Sequence, residues 1–104
     1  MASSPLTYHF DWDPVKAQTN VREHKVTFRL ATTVFRDPLA LTVYDEAHSE
    51  SEERWATIGQ AQNGQYLVVI HTFAHTSAID AAIRVISARK AVKHEVRDYE
   101  HTPR

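Results

Sequence analysis

Asn63-Gly64 stands between two apolar runs, and no other feature of the chain limits its fold so strongly. Asn followed by Gly tolerates the positive φ angles of a tight hairpin turn, so the flanking runs are expected to pair as antiparallel strands. Residues 54–60 and 65–72 are those strands. Residues 39–44 read as an extended run before them, joined to them by an acidic segment in which Asp45, Glu46, Glu50, Glu52 and Glu53 cluster without a basic residue. Residues 83–88, β-branched and free of Gly and Pro, complete an antiparallel meander of four strands. The stretch between Phe73 and Ala82 is less legible and is expected to be a long hairpin loop.

Helical signals flank the meander. A short strand is expected around Tyr8 to Trp12, after which Asp13 is a good N-cap and Pro14 a good first residue for a helix running to about Glu23. Thr27 caps a second helix, whose stripe is Phe28, Ala31, Val34 and Phe35 and which Asp37-Pro38 stops. After the last strand Ala88, Val92, Val96 and Tyr99 recur at helical spacing. The order β-α-α-β-β-β-β-α makes an α+β fold. Two N-terminal helices and a C-terminal helix lie against one face of a twisted antiparallel sheet of four strands, or five with the N-terminal one. At 104 residues a single domain covering 1–104 is expected.

Charge excludes one class of function. Lys and Arg number 12 against 13 Asp and Glu, a formal net charge of −1, so global charge cannot hold a nucleic acid; any such site must be a local patch. The charges separate along the chain, acidic around Asp45 to Glu53 and basic from Arg84 to Arg97. With no cysteine there is neither a disulfide framework nor a thiolate metal site, which fits a reducing compartment. The first ten residues lack the apolar core of a signal peptide, and no apolar run reaches the ~20 residues of a membrane span. A cytoplasmic protein with no membrane contact is expected.

The basic C-terminal region bears the chemistry. Strand alternation places Arg84 opposite Ile83 and Val85, together with Ile86 and Ala88. On the following helical segment Arg89, Lys93 and Arg97 form an i, i+4, i+8 row, extended by Lys90, His94 and His101. A histidine-bearing cationic face suits a phosphodiester: fixed cations stabilise phosphate charge and imidazoles move protons near neutral pH. The same row is also what an ordinary solvated helix face looks like, and Glu95 and Asp98 can pair with it locally. Lys16, Asn20 and His24 share one side of the first helix, again as a site or as a wet face. His71 and His75 would suit a metal at helical spacing, but an extended segment does not hold them on one face, and no metal site is expected.

Taken jointly, the residues resemble a known family. Residues 10–16 with Asn20, His24, Val26 and Phe28 carry the resemblance, as do residues 34–39, Glu53-Arg54 with Ile58-Gly59, residues 67–69, and residues 84–90 with Glu95 and Tyr99. In this order, over about residues 8–100, the chain is similar to the BrnT toxins. The resemblance implies a RelE-like fold and a bacterial ribonuclease of a type II toxin-antitoxin system, which inhibits translation. A BrnA-like antitoxin would bind and silence it, and that antitoxin's ribbon-helix-helix region alone would contact operator DNA. One departure stands out. Family members generally carry a run like Tyr-Thr-Glu-Arg-Gly after the third strand, whereas residues 71–80 here are longer and lack the Glu-Arg pair. Such a change can alter substrate positioning or antitoxin fit and can weaken activity.

Metal-free RNA cleavage needs a base for the ribose 2′-hydroxyl, cations for the phosphorane charge and an acid for the leaving oxygen. On this reading Arg84 and Arg89 take the phosphate, Lys90 and Arg54 add field and contact, and Lys16, Lys93 and Arg97 extend the RNA-binding surface. His24 and Glu53 are the proton-transfer candidates, with Tyr99 as alternative acid or hydrogen-bond donor; no cofactor is called for. Tyr99 also lies on the apolar stripe, and Trp12 and Trp55 can be core residues or stacking platforms for bases. A partner-binding module with a weak or lost nuclease, working in a DNA-bound repressor complex, is the competing expectation. A small metal-dependent hydrolase is a third.

Overall fold

The computed structural model describes residues 6–103. Residues 1–5, and with them half of the stretch on which the signal-peptide reading rests, lie outside the described residues. The chain runs β1 (Thr7–Asp11), α1 (Pro14–His24), α2 (Phe28–Thr32), a 3-10 turn (Thr33–Arg36) and β2 (Leu41–Tyr44). A second 3-10 turn (Glu46–His48), β3 (Trp55–Gln60), β4 (Tyr66–His71), β5 (Ala74–His75), β6 (Asp80–Lys90) and α3 (Lys93–His101) follow.

Local chemistry sets these boundaries. The Asp13 carboxylate accepts from the Val15 N–H at 3.3 Å ahead of Pro14, and Thr27 Oγ1 accepts from the Leu30 N–H at 3.0 Å, so both expected caps start their helices. At the hairpin Gly64 takes φ 90°, and its N–H reaches the Ala61 carbonyl at 2.9 Å. Asp37 ties three elements together: one oxygen accepts from the Leu39 N–H, and the other accepts from the Gln60 N–H of β3 and the Tyr99 hydroxyl of α3.

The sheet order is β1-β6-β4-β3-β2, with β5 also paired to β6. The expected all-antiparallel sheet is corrected on two counts. β1 joins it, as the five-strand alternative allowed, but it runs parallel to β6, with Thr7 opposite Asp80 and Asp11 opposite Arg84. The stretch expected as a long loop instead contains β5, which pairs back on Ala81 and Ala82. The C-terminal helix is also not on the expected face. Leu67, Val69, Val85 and Ala88 pack against Val26, Phe28, Ala31 and Val34 on one side of the sheet. Alternation from Leu67 sends Tyr66 and buried Val68 to the other side, where the Tyr99 ring of α3 meets Tyr66 at 5.4 Å. Helices therefore cover both faces, α1 and α2 one, α3 part of the other.

A bulge in β6 reorders its two sides. Ile70 pairs with Ser87 but His71 with Val85, leaving Ile86 as an extra residue. Ala88 is consequently buried with Ile83 and Val85, not turned out with Arg84 as strict alternation required. Where β1 ends, α1 takes over the edge of β6. The Asn20 side-chain amide donates to the Ala88 and Val26 carbonyls, each at 2.8 Å, and its oxygen accepts from the Ala88 N–H at 3.0 Å. One carboxamide thus stands in for a neighbouring strand.

Gly59 is fixed by crowding. A Cβ there would lie 2.8 Å from Cγ1 of buried Val34 and 3.1 Å from Cβ of partly buried Ala40. Gly59→Ala is expected to cost about 1–3 kcal/mol through overpacking; an unchanged urea midpoint would show that the first 3-10 turn and β3 part easily.

Candidate functional site

The sheet face shared with α3 carries the charged residues. Arg84 projects from β6 on the side away from Ile83 and Val85, and Arg54 stands just before β3. Glu52 joins them: Arg84 Nη2 donates to Glu52 Oε2 at 2.6 Å, and Arg54 Nη2 lies 3.8 Å from Glu52 Oε1. Arg54 Nε is buried and makes no hydrogen bond among the described residues. Buried donors are nearly always paired, so this one stands ready for an acceptor. Glu53, the carboxylate expected here, is exposed beside the cluster. Glu52 is the residue sequence reasoning missed; both sit in one acidic run, and only the tertiary approach of β6 distinguishes them.

Arg89 is engaged elsewhere. It lies within β6, not on the helix, so the expected Arg89, Lys93, Arg97 row is broken: only exposed Lys93 and Arg97 share α3. Its two terminal nitrogens donate to the two Glu95 oxygens at 2.8 Å each, and Glu95 Oε1 also accepts from the Val92 N–H at the start of α3. The Arg89 hydrogen bonds, reinforced by the Val92 N–H and opposed by burial, hold the Glu95 carboxyl down at about 2; Arg89 is raised in return. Lys90 is exposed at the strand end.

This pair makes stability depend on pH. The folded value of Glu95 lies below its ordinary 4.5, so its contribution is present above pH 4.5 and is lost as pH falls through about 2. Burial likewise holds His71 below its ordinary 6.5, against an opposing bond to Thr72, so a separate contribution is present above 6.5 and erodes as pH drops below it. Urea midpoints from pH 8 to 2 are expected to fall in two ramps, with Glu95→Gln flattening only the lower. Because the Arg89 side chain is 43% exposed, that pair contributes only about 1 kcal/mol at neutral pH.

The remaining candidates fall in three places. Lys16 and His24 line a cleft of about 170 Å³ between α1 and the bulge at Ile86 and Ser87, with Asn20 at its base. Ser87 is three residues along β6 from Arg84, roughly 10 Å. Tyr99 is buried, edge-on to Tyr66 and bonded to Asp37, which makes it part of the seam between α3 and the sheet. Trp12 is partly buried against the core, edge-on to Phe28 at 6.0 Å.

The fold and this cluster define a small α+β protein with a cationic group on a partly open sheet face. Residues 12–95 match the family described as ribonuclease toxin, BrnT, of type II toxin-antitoxin systems, and the chain belongs to that family. The 1.1 Å crystal structure of the Brucella abortus ribonuclease toxin BrnT is similar to it, with a TM-score of 0.62 and 25% sequence identity over 84% of this chain and all of that one. Among curated proteins none is a significant match.

Proposed function

We propose that the chain is a metal-independent endoribonuclease toxin with a RelE-like fold, which inhibits translation by cleaving RNA. The observation that carries this reading is the Arg84–Glu52–Arg54 cluster in a member of a ribonuclease-toxin family. A carboxylate shared by two guanidinium groups is the nearest protein mimic of a bound phosphate, since its oxygens sit where phosphate oxygens accept. RNA displaces Glu52 and puts its scissile phosphate on Arg84 and Arg54, with the buried Arg54 Nε as a further donor. The cations then stabilise charge developing on the phosphorane.

His24, from the cleft it shares with Lys16, and Glu53, beside the cluster, divide the proton transfers, one drawing the 2′-hydroxyl proton and the other serving the leaving oxygen. The dependence on that hydroxyl selects RNA over DNA. Lys90, Lys93 and Arg97 contact the flanking sugar-phosphate chain and position it without reading bases. Arg89, tied to Glu95, orients the start of α3 beside the phosphate, and Tyr99 positions the same helix from below. An acidic or helical segment of a BrnA-like antitoxin covers the Arg84 surface and excludes RNA; operator DNA is met only by the antitoxin's ribbon-helix-helix region. The protein acts in the cytoplasm.

The test is cleavage of a labelled RNA by the purified chain in EDTA, alongside the Arg84→Ala/Arg89→Ala double variant and a DNA of the same sequence. Cleavage of RNA by the parent alone is expected. Cleavage by both proteins would remove the phosphate site, and cleavage only with added metal would remove the mechanism. One observation favours a second reading, a partner-binding module with little nuclease activity: both Arg84 and Arg89 already hold carboxylates. Intact RNA with the parent, in a chain that still binds its antitoxin, would select it.

A further inference from the structure

Behind the arginine cluster, on the opposite face of the sheet, lies a cavity of about 330 Å³. Its walls are rings: Tyr8 from β1, Phe35 from the first 3-10 turn, Trp55 from β3 and Phe73 just past β4. Tyr8 and Phe73, 37% and 36% exposed, form the rim. Phe35 meets Tyr8 at 5.8 Å and the His71 ring at 4.8 Å, both edge-on. The polar atoms form one chain, Thr42 Oγ1 to Thr57 Oγ1 at 2.8 Å and Thr57 Oγ1 to His71 Nε2 at 2.7 Å, while His71 Nδ1 lies 2.8 Å from the Thr72 carbonyl. Since a carbonyl only accepts, Nδ1 carries the proton and Nε2 accepts from Thr57. Burial keeps this imidazole neutral. The cavity is therefore lined by aromatic rings and without formal charge.

Its position gives it an occupant. Arg54 and Trp55 are consecutive, as are Ile83 and Arg84; pleat alternation turns Trp55 and Ile83 into the cavity and the two arginines to the other side. Phosphate site and ring-lined cavity thus sit back to back across one sheet end. An aliphatic side chain of a protein partner would fill such a space without using the ring faces, whereas a planar heterocycle stacks on them, and every base has such a face. The volume is at the low end for ligand pockets, suited to a single ring system. We propose that the cavity receives one base of the RNA strand whose phosphate lies on Arg54 and Arg84, which adds a base-stacking subsite to the ribonuclease reading on which it rests.

The experiment measures binding of short 2′-fluoro RNAs, which lack the attacking hydroxyl, and of the same strand with its bases removed one position at a time. The full chain is used in a Trp12→Phe background, so that Trp55 alone reports by fluorescence. The intact strand is expected to quench Trp55. One abasic strand is expected to bind roughly 5- to 150-fold more weakly and to leave Trp55 unquenched. Phe73→Leu and Tyr8→Leu, rim changes that keep apolar bulk but remove a ring, are expected to reproduce that loss with folding verified by circular dichroism. Equal affinity for all strands, or rim variants that bind as the parent does while Arg84→Ala does not, would overturn the subsite, leave the phosphate site standing and assign the cavity to a protein side chain. No binding of any strand by the parent would remove both.

Discussion

Arg84→Ala is expected to lower RNA cleavage by about 10²- to 10³-fold, the usual effect of removing one donor aimed at developing charge. The thermal midpoint should stay within about 3 °C of the parent's. These two expectations belong together. The Arg84 side chain is 47% exposed and pairs with Glu52, itself partly exposed, so truncation removes a solvated interaction and leaves the core untouched. Single-turnover cleavage beside thermal unfolding measures both. A variant that loses activity and folding together would show that Arg84 is structural, and one that keeps full activity would move the phosphate toward Lys16 and His24. Glu52→Gln sharpens the test: the competing charge disappears while the shape remains, so RNA should bind several-fold more tightly. Weaker binding would contradict the view that Glu52 occupies the phosphate position.

Asn20→Ala is expected to destabilise the fold by about 2–4 kcal/mol, the largest loss anticipated for a polar residue here. Asn20 is 4% exposed and satisfies three backbone groups, the N–H and C=O of Ala88 and the C=O of Val26. Removing it leaves those groups buried and unpaired, at roughly 1–3 kcal/mol each before any water enters. Asn20→Leu, which restores the volume, should rescue little, because the loss lies in hydrogen bonds and not in packing. The readout is the urea midpoint. A change below about 1 kcal/mol would mean that water or a backbone shift replaces the amide.

Much of the architecture was legible because its causes are local. Asp13-Pro14 and Thr27 start their helices as expected, and Asn63-Gly64 turns the central hairpin. Phe28, Ala31 and Val34 face the core. What escaped depends on distant partners. Nothing in residues 7–11 records that their neighbour will be β6 or that the two will run parallel, because alternation is the same in either direction. Whether α3 crosses to the other face is decided by its docking on Tyr66, Asp37 and Arg89, spread over three elements. The site was legible in kind and less so in detail. Arg84 and Arg54 do meet, but around Glu52, and the stripe that extended a helix back to Ala88 missed that Arg89 still belongs to the strand. The ring-lined cavity left no signature, since Tyr8, Phe35, Trp55 and Phe73 come from four separate segments.

The extra residue in β6 has a consequence for how this chain can vary. Ile83, Val85 and Ala88 all face inward while Arg84 and Arg89 stay out, an arrangement that no uninterrupted alternation permits. Ile86 absorbs the mismatch. Removing that one residue would leave plain alternation, with Val85 and Ala88 still inward and Arg84 and Arg89 still outward, and would take away only the bulge. The bulge is therefore the place where β6 can lose a residue and keep its two faces, whereas a residue gained or lost elsewhere along the strand would exchange them: descent can vary the count of residues at Ile86 and must preserve it on either side.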